Sequence, residues 1–116
     1  MFNEVRMKLA IIGSRGIKNI DLKEYITSDV DEIVSGGACG VDTIAAKYAK
    51  EHGIKLTEFL PEYEKYGRGA PLVRNKEIVN YADKIIAFWD GKSKGTKYVI
   101  EYAKKINKPY EVVICI

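Results

Sequence analysis

The chain is poor in the residues that staple or anchor small proteins. It has two cysteines among 116 residues, Cys39 and Cys115, too far apart to suggest a local disulfide framework. One histidine, His52, leaves no His/Cys cluster with metal-ligand spacing, so no metal is expected. No apolar run approaches the ~20 residues of a membrane span. The opening MFNEVRMKLAIIGSRG lacks a signal peptide's apolar stretch with a small-residue cleavage site. A reduced, soluble, cytoplasmic protein with no membrane partner is the expectation. Repeats and low-complexity segments are also absent, which excludes solenoids and disordered linkers.

What is present describes one domain over residues 1–116, since a single core commonly organises roughly 100–200 residues. Apolar residues make up 47% and charged residues 30%, as in an ordinary globular protein. The net charge of +3 is unevenly placed: residues 1–60 carry −1 and residues 61–116 carry +4. This mild bias suits an anionic ligand and falls far short of the basic stripe of a duplex-DNA binder.

Apolar runs alternate with helical patterns, the signature of a parallel α/β sheet. Strands are expected at 8–12 (KLAII), 32–35 (EIVS), 54–60, 84–89 (KIIAFW) and 110–116. Helices are expected at 21–27, from Val41 onward, at 72–82 and from Gly95 onward. The second is the clearest, with Val41, Ile44, Ala45, Tyr48 and Ala49 at i, i+3, i+4, i+7 and i+8 and Gly53 as its C-terminal cap. The stretch PEYEKYGRGAP reads as a polar loop. A strand order of 3-2-1-4-5 then makes the boundary between strands 1 and 4 a topological switch point, where ligands bind beyond the carboxyl ends.

Three glycine-rich loops converge there. Gly13-Ser14-Arg15-Gly16 offers a hydroxyl and a bidentate guanidinium for phosphate; alone it reads slightly better as a plain turn with an exposed Arg. Ser35-Gly36-Gly37-Ala38-Cys39-Gly40-Val41-Asp42 links a strand to the strongest helix, as an anion-binding turn should. Asp42 either complements that helix's dipole or bonds a ligand hydroxyl. Trp89 to Thr96 (WDGKSKGT) brings Ser93, Gly95 and Thr96 to a second helix start, with Thr96 as its expected N-cap. Arg74 and Asn75 lie one loop before the fourth strand and reach toward the same crevice. Asp42, Asp90 and Glu101 are the candidate acid/base groups, unpaired by spacing. Cys39 has no base partner that would make it a nucleophile.

GSRG, SGGACGVDTIAAKYA, GRGAPLVRNKEIV and ADKIIAFWDGKSKGTKYVIEYAKK, in this order, resemble the SLOG (SMF/DprA/LOG) superfamily, especially its small stand-alone YspA-like members. The resemblance implies a Rossmann-like three-layer α/β sandwich with a five-stranded, mainly parallel sheet. It also implies a nucleotide or nucleotide-derived ligand and a sensor or processing role; no other cofactor is indicated by the sequence. Homodimers, common among such relatives, are expected. Gly13, Ser14, Arg15, Ser35, Gly36, Gly37, Gly40, Asp42, Arg74, Asn75, Ser93, Gly95 and Thr96 are the expected binding residues. Two relatives set the alternatives. The DNA-processing A proteins share the SG-x-A-x-G-x-D pattern and the Arg-Asn pair, which implies single-stranded DNA binding. The LOG-type phosphoribohydrolases, which cleave an N-glycosidic bond, share Gly95, Thr96 and Arg74. Val99 stands where their catalytic Glu would be, and Glu101, two residues on, points roughly 200° around the helix.

Overall fold

A computed structural model describes residues 6–115. Residues 1–5 and Ile116 lie outside the described residues, and with them the first residues of the chain start and the end of the expected last strand. Five strands form one sheet: β1 (Met7–Gly13), β2 (Val30–Ser35), β3 (Lys55–Glu58), β4 (Lys84–Trp89) and β5 (Tyr110–Ile114). All neighbours pair in parallel, in the order β3-β2-β1-β4-β5. The expected order and the α/β class are therefore found.

Parallel central strands are covered on both faces, so both side-chain sets must be apolar. In β1, Leu9 and Ile11 enter the core on one face, and Ala10 and Ile12 enter that on the other. β4 divides in the same way, Ile86 and Phe88 against Ile85 and Ala87. Helix α1 (Val41–Glu51) covers the first face through Val41, Ala45 and Ala49. Helices α3 (Ala70–Tyr81) and α4 (Lys94–Lys105) cover the second, through Ile78, Val79, Val99 and Ala103.

The boundaries depart from expectation where local chemistry outweighs periodicity. The helix expected over 21–27 is a single 3-10 turn, Leu22–Glu24: Asp21 caps it at the Lys23 N–H (3.1 Å), and so short a segment does not propagate beyond a nucleus. The loop before Leu72 is not open. It holds a one-turn helix, α2 (Tyr63–Tyr66), and a 3-10 turn, Gly67–Gly69, which runs directly into α3. Pro71 in the first turn of α3 starts that helix two residues early, because the ring's fixed φ suits a helix beginning. The third strand is shorter than 54–60, ending at Glu58. No described helix is long and apolar enough to cross a membrane.

Candidate functional site

After β1 the chain moves to one side of the sheet, and after β4 to the other. The gap this leaves at the carboxyl ends of β1 and β4 opens into a cleft of about 440 Å³, within the range of ligand sites. Ile12, Ile78 and Val99 form its apolar floor. Gly13, Arg15, Gly36, Asp42, Arg74, Asn75, Asp90, Ser93, Gly95 and Thr96 supply the rest of the wall, with Gly16, Ala38 and Pro71.

Arg74 is the hub of one wall. It is buried, and donates from Nη1 to the carbonyls of Gly36 (2.7 Å) and Phe59 (3.4 Å) and from Nε to Asn75 Oδ1 (2.9 Å). A Cβ on Gly36 would sit 2.5 Å from Nη1, so only glycine lets this guanidinium pass. Burial lowers its pKa against the opposing pull of Asp42 and Tyr63, and the nearby charge of Arg15 lowers it further. Asp42 is also buried. Its Oδ2 accepts from the Ala38 N–H (3.1 Å), which ties the glycine loop to the first turn of α1. Burial pushes its carboxyl above the ordinary Asp range, although the Ala38 N–H and Arg74 pull the other way.

The opposite wall is the turn from β4 into α4. Asp90 Oδ1 accepts from the N–H groups of Lys92 and Ser93, both at 2.8 Å, and these bonds hold its carboxyl below the usual range. The carboxylate is thus engaged in shaping the turn. Trp89 Nε1 donates to the Ser93 carbonyl (3.0 Å) and fixes the other side. The N-cap of α4 is Ser93, not Thr96: Ser93 Oγ accepts from the Thr96 N–H at 3.5 Å, and the buried Thr96 hydroxyl meets Ser93 Oγ at 3.3 Å. That leaves the first amides of α4, at Lys94 and Gly95, without an intrahelical partner at the positive end of the helix. A Cβ on Gly95 would meet nothing within 4 Å, so this turn opens on space.

The remaining expected residues stand behind the cleft. Ser14 is buried, with Oγ accepting from the Asp90 N–H (3.2 Å), so it joins β1 to the β4 turn from beneath. Ser35 is fully buried, and its hydroxyl accepts from the Gly37 N–H (3.4 Å). Gly40 has φ of 78° and precedes α1. Gly37 packs beside Leu60. Glu101 is on the outer face of α4, ion-paired with Lys97 at 3.7 Å and away from the cleft wall. Sequence reasoning missed Pro71 and the apolar floor, and named Gly16 and Ala38 only as members of their loops. Ile12, Ile78 and Val99 read as ordinary core positions, and nothing local distinguishes a core residue from one under a cleft. Cys39 is an exposed free thiol outside the wall. Among the described residues no group of three or more His, Cys, Asp or Glu is arranged to hold a metal ion.

The fold and cleft define an open, doubly wound parallel α/β domain with a switch-point cleft lined by two guanidinium groups and a helix start. The family model described as "YspA, cpYpsA-related SLOG family" matches residues 7–66, from β1 through α2. The chain belongs to this SLOG family. No curated protein and no solved structure matches it.

Proposed function

We propose that the chain binds a nucleotide or nucleotide-derived phosphate ligand in this cleft, as a sensor or processing domain. Membership of the SLOG family points broadly to a nucleotide-related function. The observation that carries the finer reading is the meeting of Arg15, Arg74 and the open first turn of α4 around one cleft. Arg15 is exposed and makes no hydrogen bond or ion pair with the described residues, while its charge bears on Arg74. Two like charges held together favour an anion between them, and the helix start adds N–H donors for its oxygens. Asn75 and Asp42 would meet the ribose or base.

A thermal-shift panel of mononucleotides, cyclic nucleotides, NAD and ADP-ribose tests this. A true site saturated at 100 times Kd raises stability by about 2.7 kcal/mol. Arg15→Met removes the response while leaving the melting temperature of the free protein in place. If every ligand fails at millimolar concentration, the reading is wrong.

A hydrolase reading rests on Asp42, a buried carboxyl on the cleft wall whose pKa burial raises, although the Ala38 N–H and Arg74 oppose the shift. Phosphoribohydrolase-like cleavage by the LOG pattern is disfavoured because Val99, an apolar floor residue, occupies the position of the acid. Chromatography after incubation with nucleoside monophosphates and ADP-ribose decides the matter. Product formation that Asp42→Asn abolishes would favour hydrolysis over sensing.

A further inference from the structure

Between β3 and α3 the chain makes an excursion, 60–69, that starts and finishes at the cleft wall. The Phe59 carbonyl, just before it, accepts from Arg74 Nη1 (3.4 Å), and Pro71, just after it, lines the cleft. No residue of the excursion is buried, and the bonds that shape it are local: the N–H groups of Lys65 and Tyr66 donate to the Glu62 carbonyl (3.1 and 3.0 Å). Leu60, 60% exposed, lies over the first glycine turn. Its Cδ2 is 2.5 Å from where a Cβ of Gly37 would stand, and Glu58 Oε2 is 3.5 Å from the same point. Gly37 separates two wall residues, Gly36 and Ala38. Tyr63, in α2, is 57% exposed, and its phenol is near enough to bear on the charge of Arg74. Among the described residues its ring packs on no other ring and its hydroxyl makes no hydrogen bond. Tyr25, Tyr48 and Tyr81, by contrast, each meet a neighbouring ring, and Tyr66 has the Lys65 ammonium 5.1 Å from its centroid.

We propose that the Tyr63 ring, with Leu60 beside it, is the base-binding subsite of the cleft, and that the ligand is a purine nucleotide with its phosphate at Arg15 and its base on the phenol. This rests on the nucleotide reading above and adds to it which end of the ligand lies where. Charge sets the orientation. Arg15, Arg74 and the start of α4 attract an anion, whereas the Glu58 carboxylate beside Leu60 repels one. A phosphate therefore settles on the first side, and the rim at Tyr63 takes a neutral ring, whose exocyclic amine suits a carboxylate neighbour. An open aromatic face stacks on the flat face of a base, and a purine offers more of it than a pyrimidine. The patch is scaled to a base and not to a protein, since a stable protein interface buries about 800 Å² on each partner, far more than two side chains supply. This placement leaves Asp42 and Asn75 for the ribose.

Calorimetric titration of the whole chain with AMP, GMP, ADP-ribose and ribose 5-phosphate tests the subsite. The wild-type chain is expected to bind at least one of the purine nucleotides about tenfold or more tighter than the sugar phosphate, which lacks the base. Tyr63→Ala, at an exposed side chain, should erase that difference. Nucleotide affinity then falls about tenfold, while that for ribose 5-phosphate stays within about twofold. Tyr63→Phe keeps the ring and should keep the nucleotide affinity. Arg15→Met, by contrast, should weaken every ligand alike. Nucleotide affinity unchanged in Tyr63→Ala, or a loss shared equally by ribose 5-phosphate, overturns the base subsite and leaves the nucleotide reading standing. A loss in Tyr63→Phe as large as in Tyr63→Ala would assign the effect to the hydroxyl and overturn the stacking. Wild-type binding of none of these ligands also overturns the proposal, and does so through the nucleotide reading itself if the wider thermal-shift panel fails too.

Discussion

The two glycine-rich turns that frame the cleft look alike in sequence and do different work. Ser35 to Asp42 is closed upon the protein itself. Gly36 yields its carbonyl to Arg74, Gly40 backs onto the Arg15 carbonyl, and Asp42 holds the Ala38 N–H. Asp90 to Thr96 is closed on one side only. Asp90 and Ser93 shape it, and Gly95 faces open space at a helix start. Glycine in the first turn makes room for protein, and in the second for something else. A count of glycines near a helix start does not separate the two; what approaches the missing Cβ does.

The largest expected effect compares Gly40→Ala with Gly95→Ala. At Gly40 a methyl group meets both a φ of 78° and the Arg15 carbonyl oxygen at 2.6 Å, which backbone cannot easily vacate. The loss should be at least ~2 kcal/mol, combining left-handed strain with overpacking. At Gly95 the methyl enters free space in a helical residue, so stability should hold or rise by about 0.5 kcal/mol. Urea unfolding of both variants measures the contrast. Equal losses would erase the distinction between the turns.

A second contrast separates the two arginines. Arg74→Met leaves the Gly36 carbonyl without its donor and Asp42 without its neighbouring cation, for a loss of about 2–3 kcal/mol. Arg15→Met removes an exposed side chain with no bond to the described residues, so stability should stay within about 0.5 kcal/mol. Both should abolish a nucleotide-dependent thermal shift, but only Arg15→Met would do so with the fold intact. Were Arg15→Met to unfold the chain, its role would be structural and the anion reading would lose its cleanest support.

The fold was legible because its signals are local. KIIAFW over 84–89 is bounded by polar residues and matches β4 at both ends, and the α1 stripe from Val41 to Ala49 needs only period 3.6. The segment Tyr63–Gly69 was not legible, since a one-turn helix between Pro61 and Gly67 has no room for a stripe. The loops of the cleft could be named from glycine, hydroxyl and arginine, yet their division of labour could not. That division depends on Arg74 reaching 38 residues back to Gly36, and on Ser14 lying beneath Asp90 from another strand. Sequence spacing holds no record of either approach. Glu101 illustrates the reverse: its residue type suited acid/base work, and its helical phase set it on the outer face with Lys97.

The smallest expected effect sets the two carboxylates of these turns against each other. Burial raises Asp42 above the ordinary Asp value of about 3.9. The folded state therefore holds that proton more tightly than the unfolded chain, and the contribution to stability is full below the ordinary value and lost as pH rises through the raised one. Asp90 has the opposite sign: the Ser93 and Lys92 N–H groups lower it, so its contribution is present above the ordinary value and lost as pH falls through the depressed one. A whole-protein acid curve would mix these with Glu32, where burial raises the pKa but bonds from Thr57 and Tyr81, with the charges of Lys55 and Lys8, bring it below the usual Glu range. Carboxyl-carbon NMR through the acid range resolves them, with Asp42 titrating above Asp90. Asp42→Asn should keep the Ala38 contact and remove the upper titration without loss of stability at neutral pH. An Asp42 midpoint at or below that of Asp90 would mean that the first turn is as open to water as the second.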